Sequence, residues 1–187
     1  MLFKPCDPNL ELFLNGVKIE CVTCVNFLGL MIDNKLKFGA HVNHIVSKLY
    51  SMLSIVRRNR VCLPSSSYVY IFNAFALPYL SYCVSAFFPF LRKQDVFKLQ
   101  NAISKCCSLC LINSPKVQSL AQSRQTRLVS NVVRFKIPYS LFMSLEPSNH
   151  SYYTRKRGYC LIRPKRNLGA ASFNFWAPRL LNEIPAS

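Results

Sequence analysis

Residues 63–91 read LPSSSYVYIFNAFALPYLSYCVSAFFPFL, and the last 24 of them, residues 68–91, carry no charge between Arg60 and Arg92. An uncharged run of more than about 18 residues is long enough to cross a bilayer as one helix. Pro78 and Pro89 each lack a backbone N–H, so each would interrupt such a helix. We therefore predict two buried core helices that separate at Pro78, the second over residues 79–88. A single membrane span over residues 68–91 is the alternative.

The composition favours a polyanionic partner. Against 24 lysines and arginines stand 7 acidic residues, which gives a net charge of +17 in a chain of 187 residues. Nucleic acid and an anionic membrane surface both fit such a charge, whereas an enzyme acting on small neutral substrates does not need it. The cysteine count of nine is odd, and no secretory signal opens the chain. We expect an intracellular protein of the cytoplasm or nucleus, without structural disulfides.

Strand patterns occupy the first part of the chain. Residues 10–14 and 17–22 flank Asn15-Gly16, a pair that suits a two-residue type I′ hairpin turn. The run VNFLGLMI at residues 25–32 is almost continuously apolar, which predicts a third strand buried on both faces.

Helix patterns follow the strands. Apolar residues three or four positions apart predict an amphipathic helix over residues 40–59, and the next helix begins near Ser65 or Ser66, either of which is suited to capping it. A similar pattern predicts a helix over residues 93–111, and one more helix ends before Pro138. Lys48, Arg57 and Arg58 lie mostly outside the apolar stripe of the helix over residues 40–59, so they form either a solvated face or a phosphate-facing one. The stripe itself consists of Val42, Ile45, Leu49, Met52 and Val56.

Residues 154–166 read TRKRGYCLIRPKR, with six basic residues and no acidic one. Tyrosines are interleaved with this basic tail at positions 152, 153 and 159. Basic side chains neutralise phosphates, and tyrosine rings stack on unpaired bases, both without sequence preference. The tail is therefore predicted to be a nucleic-acid-binding segment.

Two cysteines and two histidines form the string Cys21-x2-Cys24 and His41-x2-His44. The histidine spacing is shorter than the usual spacing of zinc ligands, and the two cysteines point to opposite faces of an extended run. We predict no zinc site here, and we expect His44 to lie on the exposed side of its helix.

Four separated stretches together resemble one protein family. They are NFLGLMID at residues 26–33, ALPYLSYC at 76–83, KLQNAISKCCSLCLINSP at 98–115, and a closing pattern of Asn, Gly, Ser-Phe, Trp and Pro at residues 167–185. In this order they resemble the reverse transcriptases of jockey-like non-LTR retrotransposons, which are long interspersed elements. The resemblance implies a primer-grip-like element at Phe27, Leu28 and Gly29.

The fold that we expect is α+β and mainly α. A short antiparallel hairpin plus a strand, the remnant of a palm edge, covers residues 1–38. A helical thumb-like bundle covers residues 39–146, and a basic, partly extended segment covers residues 147–187.

The resemblance implies a carboxy-terminal piece of an RNA-directed DNA polymerase. Polymerases hold two divalent ions about 4 Å apart on neighbouring carboxylates, but Asp7, Asp33, Asp95 and the four glutamates of this chain are not adjacent in sequence. The Tyr/Phe-x-Asp-Asp motif of the family is also absent. We therefore expect no enzyme activity and no cofactor, although the parent family uses magnesium.

The expected function is template–primer binding to RNA, DNA or their hybrid, without sequence specificity. A palm domain acting in trans is a further expected partner, and membrane association is the alternative. The predicted nucleic-acid-binding residues are Lys48, Arg57, Arg58, Arg60, Arg155, Lys156, Arg157, Arg163, Lys165 and Arg166.

Overall fold

The computed structural model of the chain describes residues 11–145 and 172–183. It is mainly helical with two small antiparallel strand pairs, which confirms the α+β, mainly α prediction. The described residues fall into two compact units. The first contains residues 11–83 and 90–115, and the second contains residues 84–89, 116–145 and 172–183.

The first hairpin forms as predicted. Strands β1 (Leu12–Leu14) and β2 (Val17–Ile19) pair antiparallel, with Leu12 opposite Ile19. Asn15 and Gly16, between them, have φ values of 52° and 78°. Two successive positive φ values are what a type I′ turn requires, and they explain why these two residue types stand there.

The run VNFLGLMI is not one strand buried on both faces, so that prediction is wrong. It folds back on itself as β3 (Cys24–Phe27) and β4 (Leu30–Asp33), with Leu28 and Gly29 at φ values of 49° and 85°. The two hairpins form separate two-stranded sheets. Strand β3 is largely exposed and β4 is half-buried. On β4 the Met31 N–H donates to Nδ1 of the buried His41, over 3.4 Å.

Asp33 shapes the turn that leads into the first helix. Its Oδ1 accepts hydrogen bonds from the backbone N–H groups of Lys35 (2.9 Å) and Lys37 (3.0 Å). Its Oδ2 accepts a third, from the N–H of Phe38, over 2.7 Å. The next residue begins the helix, so one carboxylate orders the whole connection between β4 and the helix.

Helix α1 (Gly39–Arg58) buries the predicted apolar stripe. The burial follows the spacing of three and four because residues so placed share one face of a helix. The buried apolar members are Val42, Ile45, Leu49, Met52 and Val56.

The helix that follows does not end at Pro78, which corrects the sequence prediction. Helix α2 (Ser65–Ile71) continues through a wider π-helical turn (Phe72–Ala76) into α3 (Leu77–Ser81). In that turn the Leu77 N–H donates to the carbonyl of Phe72, five residues back. The wider turn accommodates the proline that follows it, because the usual bond from residue 78 to residue 74 is not needed there.

The break comes at Tyr82 and Cys83 instead. Tyr82 is extended, with a ψ of 124°, and Cys83 has a φ of 50°. The helix predicted over residues 79–88 is replaced by the short α4 (Val84–Phe87) and a 3-10 turn (Phe88–Phe90). The capping prediction is also wrong, because Pro64 holds the position before α2 and no side chain caps it.

Only one side of the α2–α3 helix belongs to the core. Its buried residues recur every fourth position, at Tyr68, Phe72, Ala76 and Leu80. Its other side leaves Val69, Tyr70, Phe75, Tyr79 and Tyr82 exposed. Within the described part of the chain, Ser65–Phe90 is also the one helical stretch with the length and hydropathy of a membrane span.

Helix α5 (Lys93–Cys110) completes the first unit and confirms the predicted helix over residues 93–111. It packs against α1, and the Cys106 thiol donates to the Leu49 carbonyl oxygen over 3.8 Å. Burial raises the pKa of the Cys106 thiol to about 11, with the neighbouring Cys107 and Cys110 as smaller causes. The thiol therefore stays protonated at neutral pH and packs as a small apolar group.

The second unit is built on α6 (Val117–Phe135), the predicted helix before Pro138. Helix α7 (Tyr139–Met143) and helix α8 (Phe173–Glu183) pack against α6, as does α4. The core of this unit is formed by Val129, Val132, Leu145 and Ala177.

Candidate nucleic-acid interface

A groove lined by both polar and apolar side chains runs between α1 and α5 on the surface of the first unit. It consists of two cavities, of about 800 Å³ and about 530 Å³, which share Tyr50, Ser104 and Lys105. Side chains from α1 and the residues just after it form one wall, and side chains from α5 form the other. The lining consists of Asn43, Val46, Tyr50, Leu53, Arg57 and Arg60 on the first wall and Lys98, Asn101, Ser104, Lys105, Ser108 and Leu109 on the second.

The charges of the groove are all positive. Its four cations are Arg57, Arg60, Lys98 and Lys105, and its lining includes no aspartate or glutamate. The ion pairs within the described ranges join Lys18 to Glu11 and Arg92 to Asp95, both away from this lining. A groove of one charge sign between two helices attracts a polyanion and holds it along its length.

Tyr50 and Lys105 form a pair at the point where the two cavities meet. The Lys105 ammonium lies 5.4 Å from the centroid of the Tyr50 ring, a cation–π distance. It also donates to the Tyr50 hydroxyl over 3.4 Å. The tyrosine keeps 38% of its surface exposed. An aromatic ring and a cation are thus presented together at the centre of the groove.

The structure separates the four predicted basic residues of the first unit. Arg57 and Arg60 lie in the groove. Lys48 does not, because it lines an apolar cavity of about 290 Å³ between α1 and the α2–α3 helix, next to Met52, Phe75 and Tyr79. Arg58 is exposed and belongs to the lining of neither cavity of the groove.

Sequence reasoning missed the α5 wall. Lys98 and Lys105 are seven residues apart, which is two helical turns, so they share one face. That spacing was the available signal. The spacing could not show that this face of α5 borders the side of α1 that carries Arg57.

The primer-grip-like residues form the tip of the β3–β4 hairpin and are not in the groove. Phe27 and Leu28 are 61% and 77% exposed. The Gly29 N–H donates to Asn26 Oδ1 over 3.0 Å, and the Tyr82 hydroxyl donates to the Leu28 carbonyl oxygen. The tip is thus an exposed apolar turn whose conformation is supported by these two hydrogen bonds.

The six predicted basic residues of the tail lie outside the described residues. They are Arg155, Lys156, Arg157, Arg163, Lys165 and Arg166.

The cysteine–histidine string does not come together as a ligand set in the described ranges. His41 is buried with its Nδ1 facing the Met31 N–H, and His44 is exposed, as expected. Across residues 11–145 and 172–183, no group of three or more His, Cys, Asp or Glu side chains is placed to hold a metal ion. The seven cysteines in these ranges are free thiols.

No protein-family model, curated protein or solved structure matches this chain. Support for a function accordingly comes from the sequence and from the geometry of the groove.

Proposed function

We propose that the protein binds nucleic acid without sequence preference through the groove between α1 and α5. The observation that carries the proposal is the alignment of Arg57, Arg60, Lys98 and Lys105 along one groove that has no acidic lining residue. Arg57, Lys98 and Lys105 project from two packed helices, and Arg60 follows two residues after the end of α1, so the backbone positions of the four cations are set before any ligand arrives. RNA, DNA and their hybrid share the phosphate backbone that such a groove recognises.

The length of the groove suits a stretch of backbone. From Asn43 to Arg57 the α1 wall extends about 20 Å, at 1.5 Å per helical residue. Along its axis a stacked strand advances about 3.4 Å per phosphate, so this wall is about as long as six nucleotides of such a strand. The amides of Asn43 and Asn101 and the hydroxyls of Ser104 and Ser108 add hydrogen-bonding groups between the cations. Contacts of this kind position a strand but do not read its sequence.

We further propose that the chain is the non-catalytic, carboxy-terminal part of a non-LTR retrotransposon reverse transcriptase. The order of the four sequence motifs supports this origin. The use of the two aspartates in the described ranges supports the lack of polymerase activity, since Asp33 accepts three backbone N–H groups and Asp95 pairs with Arg92. We expect no primer extension by the purified protein with magnesium, primed template and nucleotides.

The same origin suggests a protein partner and a compartment. A palm domain in trans would meet the primer-grip-like tip, where Phe27 and Leu28 present an exposed apolar surface. The free thiols of the described residues suit a reducing compartment, in the cytoplasm or the nucleus.

Membrane association is the second candidate function, and the exposed apolar side of the α2–α3 helix favours it. The interruption at Tyr82 and Cys83 opposes a straight span through Ser65–Phe90. We therefore expect alkaline carbonate to release the protein from membranes. Retention in the lipid fraction, with one end protected from protease, would favour the membrane-spanning alternative.

The groove is tested by replacing its four cations with alanine. A matched variant replaces four exposed basic residues outside the groove lining, Lys35, Lys37, Lys93 and Arg127. Binding to labelled RNA is measured by fluorescence anisotropy over a range of salt concentrations. If all four cations contact phosphates, the slope of log affinity against log salt falls by about 3 in the groove variant, at about 0.7 per contact on single strands.

The matched variant controls for diffuse attraction to a protein of net charge +17. It should keep most of the slope. Equal losses in the two variants would mean that binding follows total charge, and the groove would then have no special role.

A further inference from the structure

We infer that the groove selects single-stranded over double-stranded nucleic acid, and that Tyr50 stacks on an unpaired base while Lys105 holds a neighbouring phosphate. The inference rests on the proposed function, because it concerns the same groove. It adds a strand preference that positive charge alone does not give, since duplexes and single strands both carry phosphates.

The position of Tyr50 is the first argument. Both cavities of the groove include Tyr50, Ser104 and Lys105, so these residues occupy the middle of the path that a strand would follow. Arg57 and Arg60 lie in the larger cavity and Lys98 in the smaller one. A strand held by cations on both sides would therefore pass directly over the partly exposed tyrosine ring.

The width of the groove is the second argument. Packed helices have axes about 8–10 Å apart, so the space between their outward side chains admits one chain of nucleotides. A duplex would rest on the rims of the groove with one of its backbones. Its bases would stay paired and stacked inside the helix, away from Tyr50. A single strand can turn a base into the groove, because nothing pairs with it.

The Tyr50–Lys105 contact is the third argument. Before binding, the Lys105 ammonium lies over the Tyr50 ring and donates to its hydroxyl, and the two side chains line the same cavity from its opposite walls. A base that stacks on the ring brings its own phosphate within a few ångströms of the ammonium. The cation can then pair with that phosphate while the ring meets the base, which is the combination used by grooves that bind single strands.

The experiment compares Tyr50→Ala and Tyr50→Phe with Tyr70→Ala. Tyr70 is 74% exposed and is not part of the groove lining, so it serves as the matched aromatic control. Dissociation constants are measured at one salt concentration for a homopolymeric single strand, a duplex of equal length, and a strand of equal length without bases. Thermal unfolding of each variant checks that the fold is retained.

The expected result is a roughly ten-fold loss of single-strand affinity in Tyr50→Ala, the size of one base–aromatic stack, with a much smaller loss on the duplex. Tyr50→Phe should keep most of the affinity, because stacking needs the ring and not the hydroxyl. The strand without bases should bind the original protein and Tyr50→Ala equally. The salt slope should be the same in both, since no charge has been removed.

Three other outcomes would overturn the inference, and they differ in what they say about the groove. If Tyr50→Ala binds every ligand as the original protein does while the four-cation variant still loses its salt slope, the groove binds phosphates but does not select single strands. If neither variant changes binding, the proposed function of the groove fails as well. A similar loss in Tyr70→Ala would show that the ring effect is not specific to the groove.

Discussion

The hydroxyl of Tyr82 donates a hydrogen bond to the carbonyl oxygen of Leu28, a residue 54 positions earlier in the chain. Leu28 lies at the turn of the β3–β4 hairpin, and Tyr82 is the residue at which the α2–α3 helix ends. The bond therefore joins the tip of a two-stranded sheet to the helical part of the same unit. A two-stranded hairpin has only marginal stability by itself in water. We therefore expect this hydrogen bond to help to hold the conformation of the hairpin tip.

The first prediction concerns this anchor. Tyr82→Phe keeps the ring and removes the donor, so it should destabilise the hairpin tip by up to about 1 kcal/mol. Tyr82 is half-exposed, and water can replace part of the lost bond, so global stability should change little. Hydrogen exchange of the Gly29 amide, whose N–H bonds Asn26 Oδ1, should become faster. Unchanged exchange at Gly29 would show that the tip is held by other contacts.

The second prediction concerns the turn before α1. Asp33→Ala removes an acceptor of three backbone N–H groups and should lower the free energy of unfolding by about 2–3 kcal/mol. Asp33→Asn keeps one side-chain oxygen and should lose less. Urea denaturation of the three proteins gives the comparison. Equal losses in the two variants would indicate that the charge matters more than the number of acceptors.

The third prediction concerns pH. Burial lowers the pKa of His41 below its ordinary value of 6.5, and the nearby His44 lowers it further as the smaller cause. The unfolded chain therefore binds a proton at a higher pH than the folded chain does. The contribution of His41 to stability is complete above pH 6.5 and is lost as the pH falls from 6.5 towards the lower folded-state pKa.

Thermal unfolding on the two sides of pH 6.5 measures this effect. His41→Gln should flatten the dependence on pH, because glutamine does not titrate. His44→Gln is the control and should retain most of the dependence, since its side chain is exposed and desolvation of His41 is the larger cause. A dependence that survives His41→Gln would have to be assigned to another group.

Part of this fold could be predicted from sequence because the signals are local. The stripe of α1, the apolar face of α5 and the Asn15-Gly16 turn each follow from residue type and spacing alone. Leu28 was unpredictable as a turn residue, because leucine rarely adopts positive φ and nothing nearby indicates the bond from Tyr82. The continuation through Pro78 depends on a π-helical turn, a feature without a composition signal.

Two of the four cations in the candidate groove could be predicted from the sequence. Arg57 and Arg60 stand out as part of a basic cluster at the end of a helix pattern. Lys98 and Lys105 are interspersed among apolar residues of a different helix, so they stand out only once α1 and α5 are known to pack side by side. The exclusion of Lys48 has the same origin, since its face of α1 borders the α2–α3 helix.

The last prediction compares the groove with the basic tail. The six basic residues of the tail were predicted to bind nucleic acid from the sequence alone. Replacing Arg155, Lys156, Arg157, Arg163, Lys165 and Arg166 with alanine should reduce the salt slope by roughly 4 on single strands if every residue contacts a phosphate. The four groove substitutions should reduce it by about 3. If the tail and the groove each contact phosphates, the two reductions should add in a combined variant, because phosphates at separate sites release their counterions independently. If only the groove variant changes the slope, the tail does not contact phosphates, and the binding site is confined to the first unit. If the combined variant loses no more than either set alone, the phosphate contacts of one set depend on the other set, and the tail is then not an independent binding site.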